Sequence, residues 1–250
     1  MGRAIGVVWA GIKDLYDDLF PFVGMNLIWL LPSLALASIF DFLLSPIILS
    51  VSAFQRSAPT QEVQTVVYTL VALLGGLLVV FGPNPVGAGF HYFANQKVND
   101  ERVEFSVFWE GLRLYWKRSL YLCLISIGGV ALVLVNIVFY FSRQEQILGA
   151  VGMIFIWVLV IGWLPMQMYA MPLLMEQESK SIRLVIRNSA VLALGNPGFS
   201  LVLFVLIVIL AAVSVLIPVV ITLFGGALIA VIEQHAVVTL LERYRTSNRS

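Results

Sequence analysis

The sequence predicts an all-α, polytopic membrane helix bundle of six transmembrane helices, with short amphipathic interfacial helices on the cytoplasmic side. Three observations carry that prediction. Of the 250 residues, 60% are hydrophobic and only 12% charged, where a soluble domain carries about 25% charge. The mean hydropathy is +0.96. Five stretches hold no charge at all (His91 counted as neutral): residues 19–40, 63–96, 119–142, 146–175 and 188–232, of 22, 34, 24, 30 and 45 residues. About 20 apolar residues suffice for a helix to cross hydrocarbon. A spanning segment must satisfy its own backbone hydrogen bonds, which leaves helices or closed barrels. These runs are continuous rather than alternating, so helices are expected.

The whole chain, 1–250, reads as a single membrane domain. The first crossing is expected at about 22–42, with Pro32 kinking it. The second is expected at about 66–92, with Gly82, Pro83, Pro85, Gly87 and Gly89 near its far end. The third falls at 119–141, and the fourth at 150–171 with Pro165 and Pro172 towards its end. The last uncharged run would make a helix of about 65 Å, roughly twice the hydrocarbon thickness. It should therefore break near Pro218 or Gly225-Gly226, giving crossings at about 199–217 and 224–242. The alternative is five crossings, with 199–232 as one long tilted helix.

Charge placement favours six. With the N-terminus inside, the inner segments collect Arg3 and Lys13; Lys97, Arg102, Arg113, Lys117 and Arg118; Lys180, Arg183 and Arg187; and Arg243, Arg245 and Arg249. The outer connections keep only Arg56 and Arg143. Thirteen against two is the bias expected of cytoplasmic loops, and it puts both termini in the cytoplasm. Five crossings would move the last three arginines outside. Asp14, Asp17 and Asp18 interrupt the N-terminal region, which does not resemble a cleavable signal peptide.

Segment 101–118 reads as an interfacial helix. Phe105, Phe108, Trp109, Leu112 and Trp116 recur at helical spacing among charged residues. Such a helix lies in the interface plane, with Trp109 and Trp116 as amphipathic anchors and Arg113 and Lys117 among headgroups. Residues 182–190 echo residues 112–120 at an offset of 70: Arg183 matches Arg113, Arg187 matches Lys117, and Ser189 matches Ser119. Internal repeats are common in transporter folds, although any basic inner loop entering a membrane helix tends to look like this. Residues 5–20 suggest a third surface helix, with Trp9, Ile12, Tyr16 and Leu19 three or four apart.

The foremost candidate for chemistry is Glu233, near the middle of the last expected crossing. An ionisable group at that depth is costly and points to function, although a structural role within the bundle fits as well. His235 is a second candidate, but two positions apart on a helix the two do not share a face. Asn26, Gln167 and Tyr169 are placed to bond between helices. Asn84 stands between Pro83 and Pro85, where two missing amide donors interrupt a regular helix. Interrupted membrane helices expose backbone groups to ligands, whereas a simple helix end is the plainer alternative. No P-loop, Gly-x-Ser-x-Gly, His-Glu-x-x-His or cysteine pair occurs, and Cys123 is the only cysteine. No catalytic residue, metal site or cofactor is expected.

Asn26-Leu-Ile-Trp29 with Leu31-Pro32, then Pro85-x-x-Ala88-Gly89, then Phe105-x-x-Phe108-Trp109-x-Gly111-Leu112-x-x-x-Trp116, resembles the YesL-like family of bacterial integral membrane proteins over roughly residues 20–220. The resemblance implies a small multi-helix protein of the bacterial inner membrane, some members being encoded beside carbohydrate uptake systems. The matching positions are packing and interface residues, so no catalytic residue carries over. The chain departs at the front, where Pro32 is followed by Ser33 and no proline-to-threonine motif appears.

The expected function is a non-enzymatic accessory or regulatory component of a membrane transport system, with membrane lipids and a transporter subunit as partners and no nucleic acid. The alternatives are a small transporter in its own right using a buried glutamate, and, last, a membrane-embedded lipid-acting enzyme.

Overall fold

The computed structural model describes residues 2–30, 82–99, 104–141 and 157–247, with single positions 32, 35, 38, 152 and 154. Among these residues the chain is all-α. Eight helices form a bundle: α1 Gly2–Asp17, α2 Leu19–Leu30, α3 Gly87–Val98, α4 Phe105–Phe141, α5 Leu164–Glu176, α6 Ile182–Gly195, α7 Pro197–Leu216 and α8 Gly226–Ser247. The far end of the first expected crossing, most of the second and the start of the fourth lie outside the described residues.

α8 is the hub, packing against α1, α3 and α5, and α3 also packs on α4 and α5. α1 crosses α8 at Gly11, where an added Cβ would lie 2.6 Å from Ile232 Cγ1. Only a glycine admits that approach. Ala4, Val7 and Gly11 form the buried face of α1, leaving Ile5, Trp9, Ile12 and Tyr16 exposed on the other.

Proline explains the breaks. α7 ends at Leu216 and the chain bends at Ile217. A short turn, Pro218–Val220, and a π-helical turn, Ile221–Gly225, then lead into α8. The single helix of the five-crossing alternative therefore does not form. A second π-helical turn, Val158–Trp163, precedes α5, whose second residue is Pro165. The wider turn accommodates a ring that cannot continue the i→i−4 ladder. α5 continues past Met171 and through Pro172 to Glu176, five residues beyond the expected end.

Two expectations change. The interfacial helix 101–118 and the third crossing 119–141 are not separate: Phe105–Phe141 is one 37-residue helix. No proline interrupts it, so the change from amphipathic to apolar sequence passes without a break. At about 55 Å it exceeds the hydrocarbon thickness. Nor is its aromatic face single. Phe108 is buried, and Leu112 packs on the same cluster, while Phe105, Trp109 and Trp116 are exposed. The second expected crossing also changes at its end: residues 82–86 are non-helical and α3 runs on to Val98 rather than stopping at Tyr92.

Among the described residues two helices are long and apolar enough to cross a membrane, at Pro197–Ser214 and Leu223–Thr246. The first is only 28% buried, whereas the core helix of a water-soluble domain is mostly buried. Ser200, Leu203, Ile207, Ala211 and Ser214 face inward, whereas Leu201, Val205, Ile209 and Val213 face outward. On a water-soluble protein the outward stripe would be polar.

The two echoing segments share a burial pattern. Arg113 and Arg183 are exposed, as are Lys117 and Arg187, while Ser119 and Ser189 are buried. They differ on the C-terminal side of that serine. α4 continues into its apolar half, but α6 stops at Gly195, and the chain turns at Asn196 before α7.

Candidate functional site

The site begins where α3 begins. Pro83 and Pro85 have no amide hydrogen to continue a helix. Asn84 restarts it: its Oδ1 accepts the Gly87 amide at 2.6 Å, and its Nδ2 donates to the Gly82 carbonyl at 3.3 Å. From that start, His91 comes round to face α8.

There it meets Glu233. His91 Nε2 and Glu233 Oε2 are 3.8 Å apart, too far for a hydrogen bond. Glu233 is 2% exposed and His91 8%. Glu233 Oε1 and His91 Nδ1 have no hydrogen-bond partner among the described residues. Both side chains line a small, partly enclosed cavity of about 20 Å³, shared with Asn84, Gly82, Trp29 and Phe90. That is room for about one water molecule. Its walls are held by aromatic packing: Trp29 on Phe90 with centroids 5.4 Å apart, and Phe90 edge-on to Phe108 at 5.7 Å.

No family model, curated relative or solved structure matches this chain. Its chemistry therefore has to be argued from the site alone.

A carboxylate taken out of water is costly unless a counter-charge and hydrogen bonds compensate it. Among the described residues Glu233 Oε1 has no partner, and Oε2 faces only an imidazole across a short gap, beside space for one small polar occupant. Such a pair can share a proton, directly or through one water.

The two residues after Glu233 point elsewhere. At about 100° per residue, three consecutive side chains of α8 meet three different helices. Glu233 faces His91 on α3. Gln234 Nε2 donates to Glu176 Oε2 on α5 at 3.1 Å. His235 Nε2 lies 2.7 Å from Asp14 Oδ2 on α1. The structure therefore brings Glu233 and Asn84 to one cavity and sends His235 away from it.

Asn26 sits beside the cavity, buried, with its Oδ1 accepting the Ala227 amide at 3.0 Å. Gln167 and Tyr169 bond across helices: Ser126 Oγ lies 2.5 Å from Gln167 Oε1, and the Tyr169 and Ser200 hydroxyls are 2.8 Å apart. Trp109, Trp116, Arg113, Lys117, Arg183 and Arg187 are all exposed and take no part in lining the cavity. Lys117 lies over the Trp116 ring at 5.6 Å.

The sequence alone does not single out His91 as the partner of Glu233. The available signal was its position as the one titratable side chain of the 63–96 run other than Tyr68 and Tyr92, the counterpart of Glu233 on the last crossing.

Proposed function

We propose that this chain is a multi-pass membrane protein of the transport class, whose working centre is the Glu233–His91 pair acting as a proton-binding site. The observation that carries this is a buried carboxylate whose Oε1 has no hydrogen-bond partner among the described residues, facing an imidazole across 3.8 Å at the edge of a cavity that admits one water. The outward apolar stripe of α7 supports embedding in lipid, and the interrupted start of α3 gives the cavity a polar end. An ionisable side chain in an apolar helix is costly and is a functional-site hypothesis by default. A catalytic role has no comparable support: one carboxylate and one imidazole share the cavity without a positioned nucleophile.

The test is infrared titration of the full chain reconstituted in lipid. A protonated-carboxyl band that appears and disappears with pH, and is absent from Glu233→Gln, is the expected result. Proton flux into vesicles under an imposed potential should likewise exceed that of empty vesicles and fall in the variant. If no carboxyl band titrates, or if Glu233→Gln leaves it in place, the proton-site reading is wrong.

An accessory role beside another transporter is the second reading, favoured by the exposed stripe of Leu201, Val205, Ile209 and Val213, which a partner subunit could cover in place of lipid. Recovery of the chain as a monomer after gentle solubilisation would count against it. We also propose kinship with the YesL-like family, supported by the sequence features alone.

A further inference from the structure

We propose that Glu176 is the second station of a proton path, exchanging protons between the inner surface and the Glu233–His91 pair; this rests on the proton-site reading above. α3, α5 and α8 pack against one another in all three pairings. His91 and Asn95 stand four apart on α3, and so share a face one turn apart. Asn95 Nδ2 donates to Glu176 Oε2 at 2.8 Å, and Gln234 Nε2 donates to the same oxygen at 3.1 Å. The carboxylate of Glu176 and two amides thus form a polar layer one helical turn along α3 from His91.

The two layers meet at a seam short of hydrogen-bond donors. Gln234 is fully buried, and its Oε1 has no partner among the described residues, as is true of Glu233 Oε1. These are acceptors on consecutive residues of one helix. Buried acceptors without donors are costly, and water is the usual remedy where the site is polar.

Glu176 has what Glu233 lacks: access to solvent. It is the last residue of α5, half-buried, and the chain beyond it is exposed at Glu178 and Ser179. Lys180 closes the same end, its ammonium donating to the Met175 carbonyl at 2.6 Å. The other groups near the pair are less suited to exchange. The Tyr169 hydroxyl is engaged by Ser200, and the Asp14–His235 pair lies on the α1 side of α8.

The step balances through intervening water. The O–H bond of protonated Glu176 breaks as the proton passes to the water, and the water gives one of its own to Glu233 Oε1. Glu176 is left a carboxylate, Glu233 a carboxylic acid, and the water is unchanged. Asn95 and Gln234 transfer nothing; they hold the Glu176 carboxylate in position. The cavity beside Asn84 then serves the opposite side of the pair, so Glu233 is reached from two directions.

The experiment uses the full chain in lipid vesicles and follows the Glu233 carboxyl band, assigned by its loss in Glu233→Gln, after a rapid pH jump. Glu176→Gln keeps a side-chain acceptor for Asn95 and Gln234, so a purely structural Glu176 would leave the kinetics unchanged. A relay predicts that Glu176→Gln keeps the final band amplitude but slows its appearance about a hundredfold, the low end of what a positioned proton donor contributes. Glu176→Asp should recover part of the rate. A band that rises as fast in Glu176→Gln as in wild type overturns the relay while leaving the proton site intact. A wild-type chain with no titrating band overturns the proton site itself.

Discussion

Asn26 on α2 accepts the backbone amide of Ala227 on α8 at 3.0 Å, joining residues 201 apart in sequence. Ala227 is the second residue of α8, just after the π-helical turn Ile221–Gly225, where backbone pairing changes register. The side chain of α2 thus serves the start of the helix that carries Glu233.

Removing that acceptor should loosen α8 without touching the cavity. Asn26→Ala leaves a buried amide without this partner and is expected to cost about 1–3 kcal/mol. Thermal unfolding in detergent measures it. A melting profile equal to wild type would mean that water or a neighbour takes over the bond.

Glu233 and His91 should behave as one unit. Glu233→Gln and His91→Leu each change one side of the 3.8 Å gap, and contacting residues couple by about 0.5–3 kcal/mol. A double-mutant cycle on unfolding, repeated at several pH values, reads the coupling. Strict additivity at every pH would show that the two side chains are neighbours without interaction.

Glycine substitutions test the packing. A Cβ on Gly89 would lie 2.6 Å from Phe108, and the Phe108 backbone oxygen would be only 2.8 Å away. Gly89→Ala should cost about 1–3 kcal/mol, as overpacked sites do, and should distort the Phe90–Phe108 wall of the cavity. Gly6 in α1 meets nothing within 4 Å, so Gly6→Ala should stabilise by about 0.5–1 kcal/mol. The same unfolding series checks both, and equal shifts for the two would contradict the packing described.

Lys97 on α3 forms an ion pair with Asp18 at the α1–α2 corner. Burial opposes the ammonium, but its hydrogen bond to Asp18 and the carboxylates of Asp18, Asp14 and Asp17 outweigh it, so its pKa stands above the ordinary lysine value. A folded-state pKa that is raised gives stability fully present below the unfolded value, about 10.4, and lost as pH climbs through the higher folded value. Lys97→Ala should therefore cost up to about 1 kcal/mol for a partly exposed pair, at neutral pH and less in strong alkali. Stability measured from about pH 7 to about pH 11, a range that brackets the unfolded lysine value, would show the variant and wild type converging; a gap that widens with pH would contradict the pairing.

Much of the fold was legible because it rests on local signals. Where the structure describes them, the uncharged runs carry apolar helices, as at 119–141 and 197–216, and the break before α8 follows from Pro218, which no helix passes easily. The continuity of α4 was not legible. A change from basic-aromatic to aliphatic sequence looks like a boundary, yet Ser119 supplies no stop signal and the helix runs through it. The site was half legible. Glu233 announced itself as a charge in an apolar helix, and Asn84 as a residue between two prolines. Their convergence with His91 depends on how α3 and α8 face each other, which no local pattern encodes. The amides of Asn95 and Gln234 gave no signal at all, since polar residues near a helix end are ordinary.

The three neighbours of Glu233, Gln234 and His235 also fix how α8 is clocked about its own axis. A twist far smaller than the roughly 100° between successive residues would pull the imidazole of His91, the carboxylate of Glu176 and the carboxylate of Asp14 out of reach together. α8 therefore cannot swivel to expose its glutamate while its other contacts stay closed. A helix keyed this way couples α1 to a fully buried acid, so that loosening Asp14 from His235 would be felt at Glu233 within a single turn.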